Sequence, residues 1–314
     1  MYAQFFVLFA IMLTGYLFRK KGILEPGMDN SLNRFIVYFA YPCMIVVNIG
    51  SLDMTPHLIA SFFLMTAIGT AGFFIFSLYA RLFTKARHIP PQKANVAEFA
   101  MVSPNNGFMG FPIALIFFGE EALFLMLASN AAMNIFFFTY GIALMQRNRE
   151  KEPFRAKALW EAFRKLVFNP NILALIIGLV ICLMHWHIPV ALNQYLTYMG
   201  NVSTPMALIY IGASLTTSNF FSIVKNRLIL ECSINKLFVM PLISFVLLYF
   251  LPLNPMIIAM TVLANCFPTA TTVSMLAQQE GQDTVLASQI LFLNTIFSVV
   301  SIPLVIQFIN LVIL

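Results

Sequence analysis

The chain has 314 residues, of which 60% are hydrophobic and only 10% are charged. A soluble domain carries roughly 25% charged residues, so the composition excludes an ordinary soluble protein and places the whole chain in lipid. The net charge of +6 does not indicate nucleic acid binding, because membrane topology accounts for the basic residues. The four cysteines form no C-x-x-C pair, so we expect structural cysteines, no metal site and no cofactor.

The chain begins with an apolar run, 2–18, that ends at the basic cluster Arg19, Lys20 and Lys21. A secretory signal peptide has its positive residues in front of the apolar run and a small-residue cleavage site behind it. Because that order is reversed here, we expect the run to be a retained first transmembrane helix.

Apolar runs of about 20 residues, separated by charged and turn residues, predict ten transmembrane helices. The fold class is therefore an all-α polytopic membrane protein. In chain order, helices 1 to 10 are predicted at 2–18, 32–51, 57–83, 94–117, 121–146, 169–187, 190–216, 226–250, 255–278 and 284–312.

All Lys and Arg residues except Lys236 lie in or beside the connections after helices 1, 3, 5 and 7. Cytoplasmic loops are enriched in Lys and Arg, so these connections are predicted inside and both termini outside. We expect a multi-pass protein of the cell membrane, such as a bacterial inner membrane. The loop 147–168 contains an amphipathic stretch, 154–168, that is predicted to lie on the inner membrane surface.

Sequence features recur at an offset near 160 residues. Leu32-Asn33 and Leu192-Asn193 open helices 2 and 7, and Ala128-Ser129 and Ala287-Ser288 occur in helices 5 and 10. The pairs Asn105 and Asn265, and Asn134 and Asn294, are each 160 apart. We interpret 1–146 and 169–314 as two five-helix repeats, joined by the cytoplasmic loop 147–168. An odd number of helices gives the repeats opposite orientations, which is a transporter architecture.

Helices 4 and 9 carry interruptions at matching positions. Two prolines and two glycines accompany two asparagines in helix 4: Pro104, Asn105, Asn106, Gly107, Gly110 and Pro112. Helix 9 has Asn265, Pro268 and Thr269. Proline removes a backbone donor, glycine permits unusual backbone angles, and irregular backbone at membrane depth must be buried or line a cavity. We expect broken, crossing helices whose N-terminal ends, amides and hydroxyls favour an anion. The predicted substrate-binding residues here are Asn105, Asn106, Gly107, Asn265 and Thr269.

Other polar residues within the predicted helices are open to two interpretations. Lys236 either neutralises a substrate carboxylate or switches its protonation during transport, or it pairs with Glu231 or snorkels to the inner interface. Glu98 either carries a proton or lies at the inner interface near Lys93. With Glu98, Asn134 and Asn294, Glu231 is a candidate member of a proton or polar relay. Asn134 and Asn294 either face the site or bond between helices.

The run 106–112, Asn-Gly-Phe-Met-Gly-Phe-Pro, resembles the helix 4 signature of the auxin efflux carrier family, which includes plant auxin exporters and bacterial carriers of malonate and malate. The resemblance implies a crossover of helices 4 and 9 formed by Asn105 or Asn106, Asn265, Pro112 and Pro268. It also implies a scaffold of helices 1, 2, 6 and 7 that forms a homodimer, and an elevator-like transport domain of helices 3–5 and 8–10. The loop after helix 5 is far shorter than in the plant exporters, which puts auxin itself in doubt.

These features predict a secondary transporter of a small mono- or dicarboxylate, auxin-like or malonate-like. Its partners are the carboxylate, the lipid bilayer and a second copy, with no nucleic acid. A sodium-coupled carrier like the bile-acid symporters is disfavoured, because no acidic residue lies next to either interruption. An intramembrane enzyme is disfavoured because H-E-x-x-H, G-x-S-x-G and paired intramembrane aspartates are absent from the sequence. A membrane sensor that uses a carrier fold stays open.

Overall fold

The computed structural model describes residues 2–25, 27–147, 164, 168–217 and 223–314. These residues form helices and connecting turns, and they contain no β-strand beyond one isolated bridge. Most of the predicted amphipathic stretch 154–168 lies outside the described residues.

Each of the ten predicted segments contains helix, but 103–105 in helix 4, 267–270 in helix 9 and 184–187 at the end of helix 6 are not helical. In the first half, helix 1 is Tyr2–Lys20, helix 2 is Met28–Phe35, Ile36–Ala40 and Tyr41–Gly50, helix 3 is Pro56–Ala86, helix 4a is Pro91–Val102, helix 4b is Asn106–Gly110 and Phe111–Phe118, and helix 5 is Glu120–Phe136, Phe137–Gly141 and Ile142–Met145. In the second half, helix 6 is Pro170–Leu183, helix 7 is Val190–Ser214 with the 3₁₀ turn Leu215–Thr217, helix 8 is Arg227–Ile234, Asn235–Val239 and Met240–Tyr249, helix 9a is Pro255–Cys266, helix 9b is Thr271–Gln279, and helix 10 is Thr284–Phe308 and Ile309–Ile313. The five-residue segments inside helices 2, 4b, 5, 8 and 10 are π-helical.

Local sequence sets the starts of several helices. The side chains of Asn169, Asn226 and Asn254 each accept a hydrogen bond from the backbone N–H two residues later. Such caps satisfy donors that have no partner inside the helix. Gly119 and Gly281, which precede helices 5 and 10, have φ of 86° and 61°, a left-handed conformation that favours glycine.

Six helices in the described residues are long and apolar enough to cross a membrane: helices 1, 2, 3, 5, 8 and 10. Helices 4b, 6 and 9a are apolar but shorter than these six. Helices 4b and 9a are short because an interruption divides helices 4 and 9 into pieces below the length of about 20 residues that one crossing needs. The protein is therefore an all-helical, multi-pass membrane protein. The count of ten spans, the inverted repeats and the orientation of the termini stay predictions.

The chain divides into two compact units. Unit 1 contains 1–60, 111–124 and 164–217, which include helices 1, 2, 6 and 7. Helix 1 packs closely on helix 7 at two glycines: a Cβ at Gly15 would collide with the backbone of Ile209, and one at Gly212 with the backbone of Met12. Small residues of this kind let membrane helices approach closely.

Unit 2 contains 61–110, 125–163 and 218–314, which include helices 3, 4a, 8, 9a, 9b and 10 and most of helix 5. Helices 4a and 9a form its centre, because all residues of 94–102 and 257–266 are buried. The assignment of a scaffold and a moving transport domain stays a prediction, since compactness carries no information about motion.

Candidate functional site

The interruptions of helices 4 and 9 lie side by side in the middle of unit 2. Pro104 and Thr269 form an antiparallel bridge. The N–H of Asn105 donates to the carbonyl of Pro268 at 2.8 Å, and the N–H of Ala270 donates to the carbonyl of Ser103 at 3.0 Å. The bridge satisfies backbone groups that neither helix can pair, which buried irregular backbone requires.

Asn105 caps helix 4b. Its backbone carbonyl accepts hydrogen bonds from Met109 and Gly110, and its side-chain Oδ1 accepts one from Phe108 at 3.3 Å. Part of the donor capacity of this helix end is therefore used within the chain. The sequence argument for an anion at this end is weakened, and a substrate role for Asn105 stays a prediction.

The two predicted glycines do not have the unusual backbone angles that the sequence argument gave them. Neither Gly107 nor Gly110 has a positive φ. Gly110 instead allows close packing, since a Cβ there would lie 3.1 Å from the ring of Phe267 and 3.2 Å from the sulfur of Met126. Gly107 borders open space. Pro112 is buried in the part of helix 4b that belongs to unit 1.

Thr269 and Asn294 connect the bridge to helix 10. The hydroxyl of Thr269 donates to the carbonyl of Ala100 at 2.8 Å and accepts from Nδ2 of Asn294 at 2.7 Å. Asn294 is fully buried, and its hydrogen bond fixes the position of the Thr269 hydroxyl. Asn134, its predicted counterpart on helix 5, is half-buried, and its Nδ2 has no partner in the described residues.

Asn265, the last residue but one of helix 9a, has its donors fully used. Its Nδ2 donates to Oγ of Ser244 at 3.0 Å and to the carbonyl of Thr261 at 2.9 Å. Its Oδ1 is buried and accepts no hydrogen bond from the described residues. The Thr261 carbonyl fixes this orientation, because a flipped amide would place two acceptors against each other.

Asn106 reaches helix 5 in a similar way. Its Nδ2 donates to Oγ of Ser129 at 3.1 Å, and its buried Oδ1 is unpaired among the described residues. The two asparagines that flank the bridge therefore both leave an amide oxygen without a donor. Buried polar groups are normally hydrogen-bonded, so these two atoms need an explanation.

A cavity of about 250 Å³ within unit 2 is lined by Asn265 and by Ser129, the hydrogen-bond partner of Asn106, but not by Asn106 itself. Its polar lining consists of Ser129, Ser244, Thr261 and Asn265, from helices 5, 8 and 9a. The remaining lining is apolar and comes from helix 3, from the end of helix 8 and from the turn after it: Met65, Ile68, Gly69, Ala71, Gly72, Phe73, Ile75, Phe76, Leu247, Leu248 and Leu251. Apolar walls with a few convergent polar groups are typical of small-molecule sites.

The sequence analysis found only part of this cavity. It singled out Asn265, and it noted Ser129 only as part of the repeated Ala-Ser pair. It missed Ser244, Thr261 and the Gly69–Gly72 surface of helix 3. The signal that could have indicated this surface is the pair Gly69 and Gly72, but small residues at a similar spacing also occur in ordinary helix packing.

Lys236 is fully buried at the π-helical turn of helix 8, which packs against helices 4a, 9a and 10. Its Nζ has no hydrogen-bond acceptor among the described residues, and it does not line the cavity. The snorkelling alternative is wrong, because the side chain does not reach the surface. Glu231 does not pair with it but binds Arg87 and Arg227, with Nε to carboxylate distances of 2.9 and 2.8 Å.

Glu98 is buried in helix 4a and fully paired. Its carboxylate accepts from Oγ1 of Thr84 at 2.7 Å and from both Nη atoms of Arg147 at 3.2 and 2.7 Å. Burial by itself lowers the pKa of Arg147, but the hydrogen bonds and charge of Glu98 outweigh it and raise the pKa above its ordinary value. The charged partner of Glu98 is therefore Arg147 and not Lys93. The sequence analysis had treated Arg147 only as a loop residue.

The end of helix 5 makes further contacts with the turn between helices 9b and 10. Gln146 donates to the carboxylate of Glu280 at 3.1 Å, and Nε2 of Gln282 donates to the carbonyl of Met145 at 2.6 Å. With the Glu98–Arg147 pair, these bonds hold helices 3, 4a, 5 and 9b together at one end of unit 2.

Sequence comparisons agree with this architecture. The model of the membrane transport protein family matches residues 1–306. An uncharacterized transporter of Methanothermobacter thermautotrophicus is 24% identical, over 94% of this chain and 93% of that protein. A protein of Rhizobium meliloti, provisionally named a malonate transporter, is 26% identical over 94% and 91%. The lysosomal cholesterol signaling protein of Mus musculus is 21% identical over 92% of this chain but only 35% of that protein.

The family match covers nearly the whole chain, as do the matches to the two microbial transporters. It confirms the resemblance seen at 106–112 in helix 4. The chain therefore belongs to the auxin efflux carrier family of membrane transport proteins.

Proposed function

We propose that this protein is a secondary transporter of a small organic acid, and that the acid binds beside the bridged interruptions of helices 4 and 9. The observation that carries the proposal is the joining of two interrupted helices by backbone hydrogen bonds next to a cavity that is lined by Asn265 and three hydroxyl side chains. In transporters, substrate sites lie where discontinuous helices meet. The provisional malonate name of one relative supports a carboxylic acid.

The mechanism proposed is alternating access of the elevator type. In this proposal helices 3–5 and 8–10 carry the substrate, and helices 1, 2, 6 and 7 form a stationary scaffold through which two copies associate. The internal bonding of unit 2 supports the first part, because the bridge and the Glu98–Arg147 pair connect its helices directly. A domain that moves as one body needs such connections.

The test is uptake by the purified protein in proteoliposomes. A panel of mono- and dicarboxylic acids is offered with and without proton and sodium gradients. We expect uptake of at least one acid, and we expect Asn265→Leu to reduce it at least about tenfold, which corresponds to one lost hydrogen bond plus the altered cavity surface. Asn193→Leu is the matched control, since Asn193 is exposed on helix 7 in unit 1.

Wild-type uptake by a folded Asn265→Leu variant would exclude the site. Absence of uptake of any acid by well-folded wild-type protein would exclude the transport function. That second result would favour a sensor, the alternative supported by the similarity to a signaling protein. In that case acids should bind, and shift the melting temperature, without turnover.

A further inference from the structure

One end of unit 2 carries more basic than acidic side chains. Hydrogen bonds from Thr84 and Arg147 to Glu98, and from Arg87 to Glu231, bring the ends of helices 3, 4a, 5 and 8 together there. Glu280 and Asp283 lie on the adjoining turn between helices 9b and 10. The basic residues at or beside the four helix ends are Arg81, Lys85, Arg87, Lys93, Arg147, Lys225 and Arg227.

The carboxylates of Glu98 and Glu231 are already bound by arginines. Glu98 accepts from Arg147 at 2.7 Å, and Glu231 accepts from Nε of Arg87 and of Arg227 at 2.9 and 2.8 Å. Because two arginines share one carboxylate, the cluster at Glu231 keeps one positive charge. These carboxylates therefore leave none of their charge for the other cations at this end.

Arg81 and Lys85 differ from the bonded arginines beside them. Within the part of the chain that the structure describes, neither side chain forms an ion pair. Both side chains are exposed. Their charges are therefore available to a partner of opposite charge.

Both cations lie at the end of an apolar, exposed stripe of helix 3. Six exposed residues recur at intervals of three and four and so share one face of the helix: Phe74, Ile75, Leu78, Arg81, Leu82 and Lys85. Leu78 and Leu82 are 60% and 59% exposed, as expected of side chains that contact lipid. The cations at the end of this stripe are therefore expected at the depth of the lipid headgroups, where long basic side chains reach water.

An anionic phospholipid complements both parts of this face. Its acyl chains can cover the apolar stripe, and its phosphate can accept hydrogen bonds from the guanidinium of Arg81 and the ammonium of Lys85. A soluble anion has no chains to cover the stripe. A zwitterionic lipid carries its own cation and brings no net charge to the two side chains.

We propose that Arg81 and Lys85 bind the headgroup of an anionic phospholipid whose acyl chains lie along the exposed stripe of helix 3. The headgroup supplies negative charge to an end of unit 2 whose own carboxylates are occupied. Basic residues next to a membrane helix attract anionic lipids in this way. The inference does not depend on the proposed function, since lipid binding requires no transport.

Native mass spectrometry of the purified, delipidated full-length protein tests the proposal. The probes are dioleoyl phosphatidylglycerol, which is anionic, and dioleoyl phosphatidylcholine, which has the same chains and no net charge. We expect the first bound phosphatidylglycerol to bind at least about tenfold more tightly, because each Lys or Arg near an anionic headgroup contributes roughly a factor of five. Inorganic phosphate should not displace the lipid, since it makes no contact with the stripe.

Three double variants locate the headgroup. Arg81→Gln with Lys85→Gln should weaken phosphatidylglycerol binding roughly 25-fold and leave phosphatidylcholine binding unchanged. Arg81→Lys with Lys85→Arg keeps both charges and should keep the preference. The matched control is Lys20→Gln with Lys21→Gln, which removes the same charge from exposed residues at the end of helix 1 in unit 1 and should change the affinity by less than about twofold. Thermal unfolding in detergent checks that each variant folds.

Equal affinity of the wild-type protein for the two lipids would overturn the proposal, and this comparison needs no variant. Unchanged phosphatidylglycerol binding by the folded Arg81→Gln, Lys85→Gln variant would exclude the site. An equal loss in that variant and in the Lys20→Gln, Lys21→Gln control would show that net charge, and not this end of helix 3, attracts the lipid. Displacement of the lipid by inorganic phosphate would assign the two cations to a soluble anion instead.

Discussion

Unit 2 contains two buried polar clusters that differ in charge and in how completely their polar groups are hydrogen-bonded. Around Glu98, a carboxylate, a guanidinium and a hydroxyl pair with one another. Around Asn265, the groups are neutral, and the buried Oδ1 of Asn265 accepts no hydrogen bond from the described residues. A fully satisfied network rigidifies a structure, whereas a partly satisfied one is costly. The first cluster therefore stabilises the fold, and the second is the place where we propose that the substrate binds.

The largest expected effect is on the satisfied cluster. Arg147→Leu leaves the buried carboxylate of Glu98 without its charged partner, which should destabilise the protein by about 3 kcal/mol. Thermal unfolding in detergent measures the change. The double variant with Glu98→Gln should recover most of the loss, since it also removes the unpaired charge. An unchanged melting temperature in Arg147→Leu would contradict the conclusion that the cluster around Glu98 stabilises the fold.

A smaller effect is expected at the unsatisfied cluster. Ser244→Ala removes the acceptor of one Asn265 N–H and so gives the cavity a donor that a carboxylate can use. We expect the KM for carboxylate uptake to fall several-fold, which corresponds to about 1 kcal/mol. Uptake kinetics in proteoliposomes, with an acid that the wild-type protein transports, measure the KM. A KM identical to that of wild type would contradict the placement of the carboxylate beside Asn265.

The smallest effect is expected at Lys236. It lies eight residues before Ser244 on helix 8, about 12 Å away at 1.5 Å per residue, and it does not line the cavity. Lys236→Met should change the KM for carboxylate uptake by less than about twofold. Replacing a buried charge by an apolar side chain is often neutral or stabilising, so the melting temperature should not fall. Loss of uptake in Lys236→Met but not in Lys236→Arg would establish Lys236 as a counter-charge for the substrate.

Sequence reasoning worked best where one segment carries the whole signal. Hydropathy and turn residues located the helices, and Pro104 and Pro268 located the interruptions, because proline acts on the backbone of its own chain. The same reasoning placed Glu98 near Lys93 and considered Glu231 as a partner of Lys236, whereas Glu98 binds Arg147, and Glu231 binds Arg87 and Arg227. Neighbours in sequence are a poor guide to neighbours across helices.

The sequence by itself determined that this is a helical membrane protein of the auxin efflux carrier family with two interrupted helices. Apolar length, turn chemistry and a local motif are enough for that. Only the tertiary structure decided that Asn265 has no donor left and that uncharged residues line the cavity. Which of the amides predicted to bind an anion still have donors free could not be read from the sequence, because hydrogen-bond capacity depends on which partners folding brings together.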